Sequence, residues 1–284
     1  MKPWSKLESY TMNKYNESRT AAEKKGGKLL KLLEKPLKKK LRKEYDRAQE
    51  EAVKIYSEKR YIPSMIWRKH QDELYDIYYE GLIKSQNAGF KRIINTFKKA
   101  GWVDNDDIVY FEKELKNDFL DFSSRSSEKL AFEAAETTRK QLEFIIKKKQ
   151  DQEQSAKIYK VFNAFEEIIS DILKEAKQRS IWRSVVGALT VAHAGASRAS
   201  TKAANKTVQE KRFNIFKIWV TEKDEKVRTS HRLMEGVMVY HNEPFQVSDE
   251  NGMTYSMEYP GDTSAPIELW IKCRCEMRYE REKK

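Results

Sequence analysis

Phe213-Asn214-Ile215-Phe216-Lys217-Ile218-Trp219-Val220 divides this chain into two unlike parts. Its aromatic and β-branched residues predict a strand, whereas what precedes it reads as helix. Upstream of it, Tyr61-Ile62-Pro63-Ser64 opens a helical region. There Leu74, Ile77, Tyr78 and Leu82, then Phe90, Ile93, Ile94 and Phe97, recur at three and four residues, with Gly101 as a stop. The same spacing predicts helices over 106–122 and 126–149. A fourth runs through Ile158, Val161, Phe162, Phe165, Ile168, Ile169, Ile172 and Leu173 to Ala176, and the polar stretch 151–155 reads as a loop before it. Residues 184–205, full of Ala, Gly, Ser and Thr, suit a helix packed closely against its neighbours. Residues 1–60 read as a basic arm of helical tendency, broken at Gly26-Gly27 and at Pro36.

Downstream, Thr221-Glu222-Lys223-Asp224 has the acid-after-Thr spacing of a capping box, which predicts a short helix running to Gly236. Strands are expected over 237–240, 245–247, 253–259 and 268–279, with Asn251-Gly252 as a hairpin turn. The expected fold is mainly α. An elongated helical body over 61–210 follows the arm of 1–60, and a small α+β domain occupies 211–284.

Composition narrows the class. Of 284 residues, 39% are hydrophobic and 35% charged, the balance of a well-charged globular chain. The longest stretch without a charge, 184–197, is shorter than the roughly 18 residues that suggest a span, so no membrane span is expected. Nothing at Met1 resembles a signal peptide, and synthesis in a cytoplasm is expected. Cys273 and Cys275 are the two cysteines. On a strand they would share a face about 6.6 Å apart along the chain, at the edge of disulfide geometry, so reduced thiols are expected. The net charge of +12 is concentrated: residues 21–43 hold nine Lys and Arg42 against two Glu, a net of +8. Lys38, Lys39, Lys40, Arg42 and Lys43 are its densest part. Such a block is either a solvated helix face or a contact for phosphate or an acidic surface.

The C-terminal part carries an ordered set of residues: Trp219, Asp224-x-x-x-Arg228-x-x-His231, Gly236, Glu243-Pro244-Phe245, Gly252, Tyr259-Pro260-Gly261-Asp262 and Cys273-Arg274-Cys275. On a helix, Asp224, Arg228 and His231 would share one face. His231, Cys273 and Cys275, with Asp224, are ligand types that suit tetrahedral zinc, although C-x-C is not the spacing of a standard finger. The preferred expectation is no metal and no cofactor. The cysteines are then small buried residues, and Arg274 faces away from them to pair with an acid such as Asp262. Asp224, Arg228 and His231 are types that do acid–base chemistry, but a structural ion-pair network is the favoured reading. No Walker A, H-E-x-x-H or G-x-S-x-G pattern occurs, and no enzymatic activity is expected. His193, among Ala and Gly, reads as a satisfied core residue.

In order, spacing and identity this set resembles the phage Mu F-like head morphogenesis family, the minor head or minor capsid proteins of tailed bacteriophages. The resemblance covers about 179–276. It runs through Trp219, Asp224-Glu225-Lys226-Val227-Arg228-Thr229-Ser230-His231-Arg232-Leu233-Met234-Glu235-Gly236, Glu243-Pro244-Phe245, Tyr259-Pro260-Gly261-Asp262-Thr263-Ser264-Ala265-Pro266 and Cys273-Arg274-Cys275. The helical body is only generally similar. Where many members carry A-R-T-E before the Trp, this chain has Trp182-Arg183-Ser184-Val185: the arginine is kept and the acid is not, nor is any salt bridge the acid would make.

The resemblance implies a structural virion component that joins the head at the portal vertex and assists head assembly and genome packaging or delivery. It implies the phage portal protein as partner, with the major capsid or scaffolding protein and packaged double-stranded DNA as further candidates. The location implied is the phage head, after assembly in the host cytoplasm. The alternative is a DNA-binding or nuclease-like protein ejected with the genome. Similar domains are sometimes fused to toxin effectors, but nine residues after Cys275 leave no room for one.

Overall fold

The computed structural model describes the backbone of residues 5–156 and 164–282, and the side chains of 32–151 and 167–282. Four long helices come first: α1 (Ser5–Lys59), α2 (Ser64–Lys99), α3 (Asn105–Ala156) and α4 (Ala164–Lys211). A mixed region follows, with β1 (Ile215–Val220), α5 (Thr229–Arg232), β2 (Met238–Tyr240), β3 (Phe245–Ser248), β4 (Thr254–Met257), α6 (Ile267–Trp270) and β5 (Glu276–Arg281). The fold is mainly α with a small C-terminal α+β part, as the sequence predicts. Among the described residues no helix is long and apolar enough to cross a membrane.

The helices are longer than their patterns suggest. α1 passes through Gly26-Gly27 and Pro36 unbroken. An interior proline costs about 3 kcal/mol of helix propensity, but Leu37, Leu41, Tyr45, Ala48 and Ala52 form a buried stripe just beyond it. That burial holds the backbone helical, so residues 37–56 are core and not part of an arm. α3 runs through the serine-rich stretch 123–127, where the sequence predicts a break. Ser123 and Ser127 are fully buried, so the small side chains mark close packing and not a turn. α3 also takes in the polar stretch 151–155, which the sequence predicts to be a loop. Ile158, Val161 and Phe162 lie outside the described residues, as does the side chain of Phe165.

The chain forms two compact units, and every long helix contributes to both. One joins Lys84–Phe119 to Leu189–Lys284 and to α1 up to Glu34; the other joins Lys35–Ile83 to Leu120–Ala188. The second unit has a core of Ala52, Val53, Tyr56, Ile66, Trp67, Leu142, Ile145, Ile146, Ile172 and Ala176. It also holds a buried polar group: the Glu44 carboxylate takes two bonds from Arg47, at 2.8 and 2.6 Å, and lies 2.8 Å from His70 Nδ1.

In the first unit Phe90, Ile94, Phe97, Phe111 and Phe119 pack with Ala199, Ala203, Ala204 and Ile215. The Ala-rich part of α4 does pack closely: a Cβ on Gly89 would fall 2.4 Å from the Ala196 carbonyl oxygen. Asp104 and Asp107 start α3 by accepting each other's backbone N–H, both at 2.9 Å. The strands form an antiparallel sheet in the order β2-β1-β5, and β3 and β4 make the hairpin expected at Asn251-Gly252, with Gly252 at φ +80°.

Candidate functional site

β1 carries the anchor. Trp219 has no exposed surface, and its ring meets His231 at 5.2 Å and Phe245 at 5.1 Å, both edge-on. The Trp219 carbonyl accepts Gly236 N–H at 2.9 Å, and its own N–H donates to Val237 at 3.0 Å. Gly236, at φ +77°, makes the turn that returns the chain to β1. Trp219, His231, Gly236 and Phe245, far apart in sequence, are therefore neighbours around one indole.

Two expected pairings are replaced by others. Asp224 and Arg228 do not share a helix, because the chain between Thr221 and Arg228 is turn and α5 begins only at Thr229. Lys223 at φ 55° bends the chain there, and Asp224 accepts Lys226 N–H at 3.1 Å, a local bond that competes with helix. Asp224 instead takes a bidentate pair from Arg274, at 2.7 and 2.6 Å. The guanidinium holds the Asp224 carboxyl below its usual range. Arg228 is the residue before α5 and donates to the Ile271 carbonyl.

Asp262, the acid expected for Arg274, clamps its own loop, accepting Glu258 N–H at 2.8 Å and Ser264 N–H at 3.0 Å. Tyr259 and Pro260 are buried beside it. Gly261 sits at φ +84°, where a Cβ would come 2.7 Å from His193 Nδ1. His193 is 2% exposed, a core residue as expected, and its ring lies against the Cys275 backbone. Burial pushes its pKa down to about 4.

Cys273 and Cys275 are not on a strand. The sequence predicts one over residues 268–279, but Ile267–Trp270 is a helical turn and β5 starts at Glu276. Lys272 at φ 54° turns the chain just before Cys273. Both sulfurs then face His231: its Nδ1 lies 3.6 Å from Cys273 Sγ and 3.5 Å from Cys275 Sγ. All three side chains are buried, and their ligand atoms lie within 4.8 Å of one another. Arg274, between the cysteines, points to Asp224.

The basic cluster lies elsewhere, on the part of α1 that belongs to the second unit. Lys39, Lys40, Arg42 and Lys43 are exposed and Lys38 is half-buried. Lys40 is paired with Glu80, and Arg42 lies 3.7 Å from Asp46. Arg183, also in that unit, is buried and donates to Thr138 Oγ1 at 2.8 Å.

Sequence reading does not single out Lys217. It is 1% exposed, with Nζ donating to the Glu258 carbonyl at 2.7 Å and lying 5.2 Å from the centre of the Phe245 ring. Burial pushes its pKa down to about 8. The signal is the strand period, since Ile215, Lys217 and Trp219 alternate onto one face. The Glu44–Arg47–His70 group gives no such signal, because its members come from two helices.

No family model, no curated protein and no solved structure matches this chain.

Proposed function

We propose that this chain is a minor head protein of a tailed bacteriophage, a structural component of the virion that works at the portal vertex. One observation carries the reading. The residues of the resemblance, scattered between Trp219 and Cys275, are used together to build a single small fold. Trp219 is the hub, Gly236 and Gly261 make turns that only glycine enters easily, Asp262 clamps a loop, and Arg274 bolts the last turn to Asp224. A motif spent on shape supports a part whose work is to dock. The portal protein is the proposed partner, with the virion as location.

The test is to co-express the chain with the portal protein of the same phage and to analyse purified heads. Co-purification with the portal and a low copy number in heads are expected. Heads that lack the chain, with no portal complex in solution, would overturn the reading.

A second reading has its own observation. The exposed cations of α1, Lys39 and Lys43 foremost, form a face suited to phosphate. Contact of this face with packaged DNA is compatible with the structural role. A nuclease is less well supported, because Asp224 and Arg228, its nearest acid–base candidates, are occupied by Arg274 and by a backbone carbonyl.

A further inference from the structure

We propose that His231, Cys273 and Cys275 form a zinc site, with the imidazole Nδ1 and two thiolates at three corners of a tetrahedron. The geometry carries it. Zinc binds thiolate sulfur at about 2.3 Å and imidazole nitrogen at about 2.0–2.1 Å. In a tetrahedron those bonds place nitrogen and sulfur about 3.6 Å apart. The two distances found are 3.6 and 3.5 Å.

The metal-free alternative, in which the two thiols bond to each other as well as to the imidazole, explains less of this arrangement. A neutral imidazole has one nitrogen lone pair to offer, so Nδ1 can accept a hydrogen from one thiol and not from both. Yet both sulfurs are directed at that one atom, and both are buried. A cation between them takes the Nδ1 lone pair and both thiolates at once. Charge balance also favours it: a divalent ion with two thiolates and a neutral imidazole is neutral overall, which lowers the cost of burying it. Binding then releases the two thiol protons to solvent. Two sulfurs with one nitrogen select zinc over magnesium, calcium or manganese, which prefer oxygen.

Among the described residues the cluster holds three ligand groups, so the fourth corner falls to water. The site joins α5 to the segment entering β5, across 42 and 44 residues of chain. It therefore acts as a clasp on the small fold around Trp219, whether or not that fold docks on a portal.

The experiment uses the full chain without a histidine tag, purified under reducing conditions with no added metal. About one zinc per chain is expected by elemental analysis, falling to background in the Cys273→Ser/Cys275→Ser variant. Cobalt exchanged into the wild type should give a thiolate-to-metal charge-transfer band that the variant lacks. If the double variant does not fold, His231→Gln and the wild-type cobalt spectrum carry the test. Three results would each overturn the site: free thiols with neither zinc nor cobalt bound, zinc undiminished in the double serine variant, or a disulfide between the two cysteines. Metal content is read on the isolated chain, so it can fail while the assembly role stands, and the reverse.

Discussion

Trp219 and Lys217 occupy the same face of β1 and have opposite characters. The indole is fully buried and its Nε1 has no hydrogen-bond partner among the described residues, so its contribution is volume and ring contact. Trp219→Ala should cost about 3–5 kcal/mol, measured by denaturant unfolding. Trp219→Phe, which forfeits no hydrogen bond, should cost less than half of that. Equal losses would mean that the indole nitrogen has a use after all. Lys217 is held at a folded pKa of about 8 against an ordinary 10.5. Between those values the unfolded chain binds more protons than the folded one, so stability should rise as pH rises from about 8 to 10.5. The gain is on the order of 3 kcal/mol at most. In Lys217→Met that rise should vanish, and a variant that kept it would place its origin elsewhere. The motif residues can be read from the sequence because their types and order are specific. Their partners cannot: Asp224 and Arg274 are 50 positions apart, and only a turn at Lys223 decides that Asp224 leaves Arg228 for Arg274.

Where α2 and α4 cross, at Gly89 and Ala196, backbone meets backbone with no side chain between them. A methyl group there would lie 2.4 Å from a carbonyl oxygen and 2.6 Å from a Cα, neither of which can rotate away. Gly89→Ala should therefore lower stability by about 1–3 kcal/mol or more, although alanine is the better helix former by about 1 kcal/mol. A neutral or stabilised variant in thermal melts would mean that the helices separate freely. The strands and the hairpin are legible because alternation and Asn-Gly are local signals. The helix ends are less so: Gly26-Gly27, Pro36 and the serines of 123–127 all resemble punctuation. Burial of Leu41, Tyr45, Ser123 and Ser127 overrides these local preferences, and burial depends on partners that the local sequence does not name. The α5 region errs the other way. A capping-box spacing at Thr221 predicts more than two turns of helix, and Arg228 at ψ 149° allows only one.

Charge is a property of the whole chain, and its net of +12 is partly committed. Of the five cations in the densest cluster, Lys40 faces Glu80 and Arg42 lies near Asp46. Replacing Lys38, Lys39 and Lys43 with Gln should weaken binding to double-stranded DNA and flatten its salt dependence, by about 0.9 units for each phosphate no longer neutralised. An unchanged slope would leave the cluster as a solvated face and assign any DNA binding to other cations. The three-stranded sheet bears on the molecule's behaviour in company. One edge strand, β2, is three residues long, and the other, β5, carries Glu276, Arg278 and Glu280 on one face. A short edge and a charged one are poor templates for an incoming strand. The chain is thus guarded against fibril growth through that sheet, and concentrated solutions should scatter light as discrete particles. Crowding many copies into a small volume then leaves side-chain surfaces, and not unpaired backbone, to decide which neighbours it keeps.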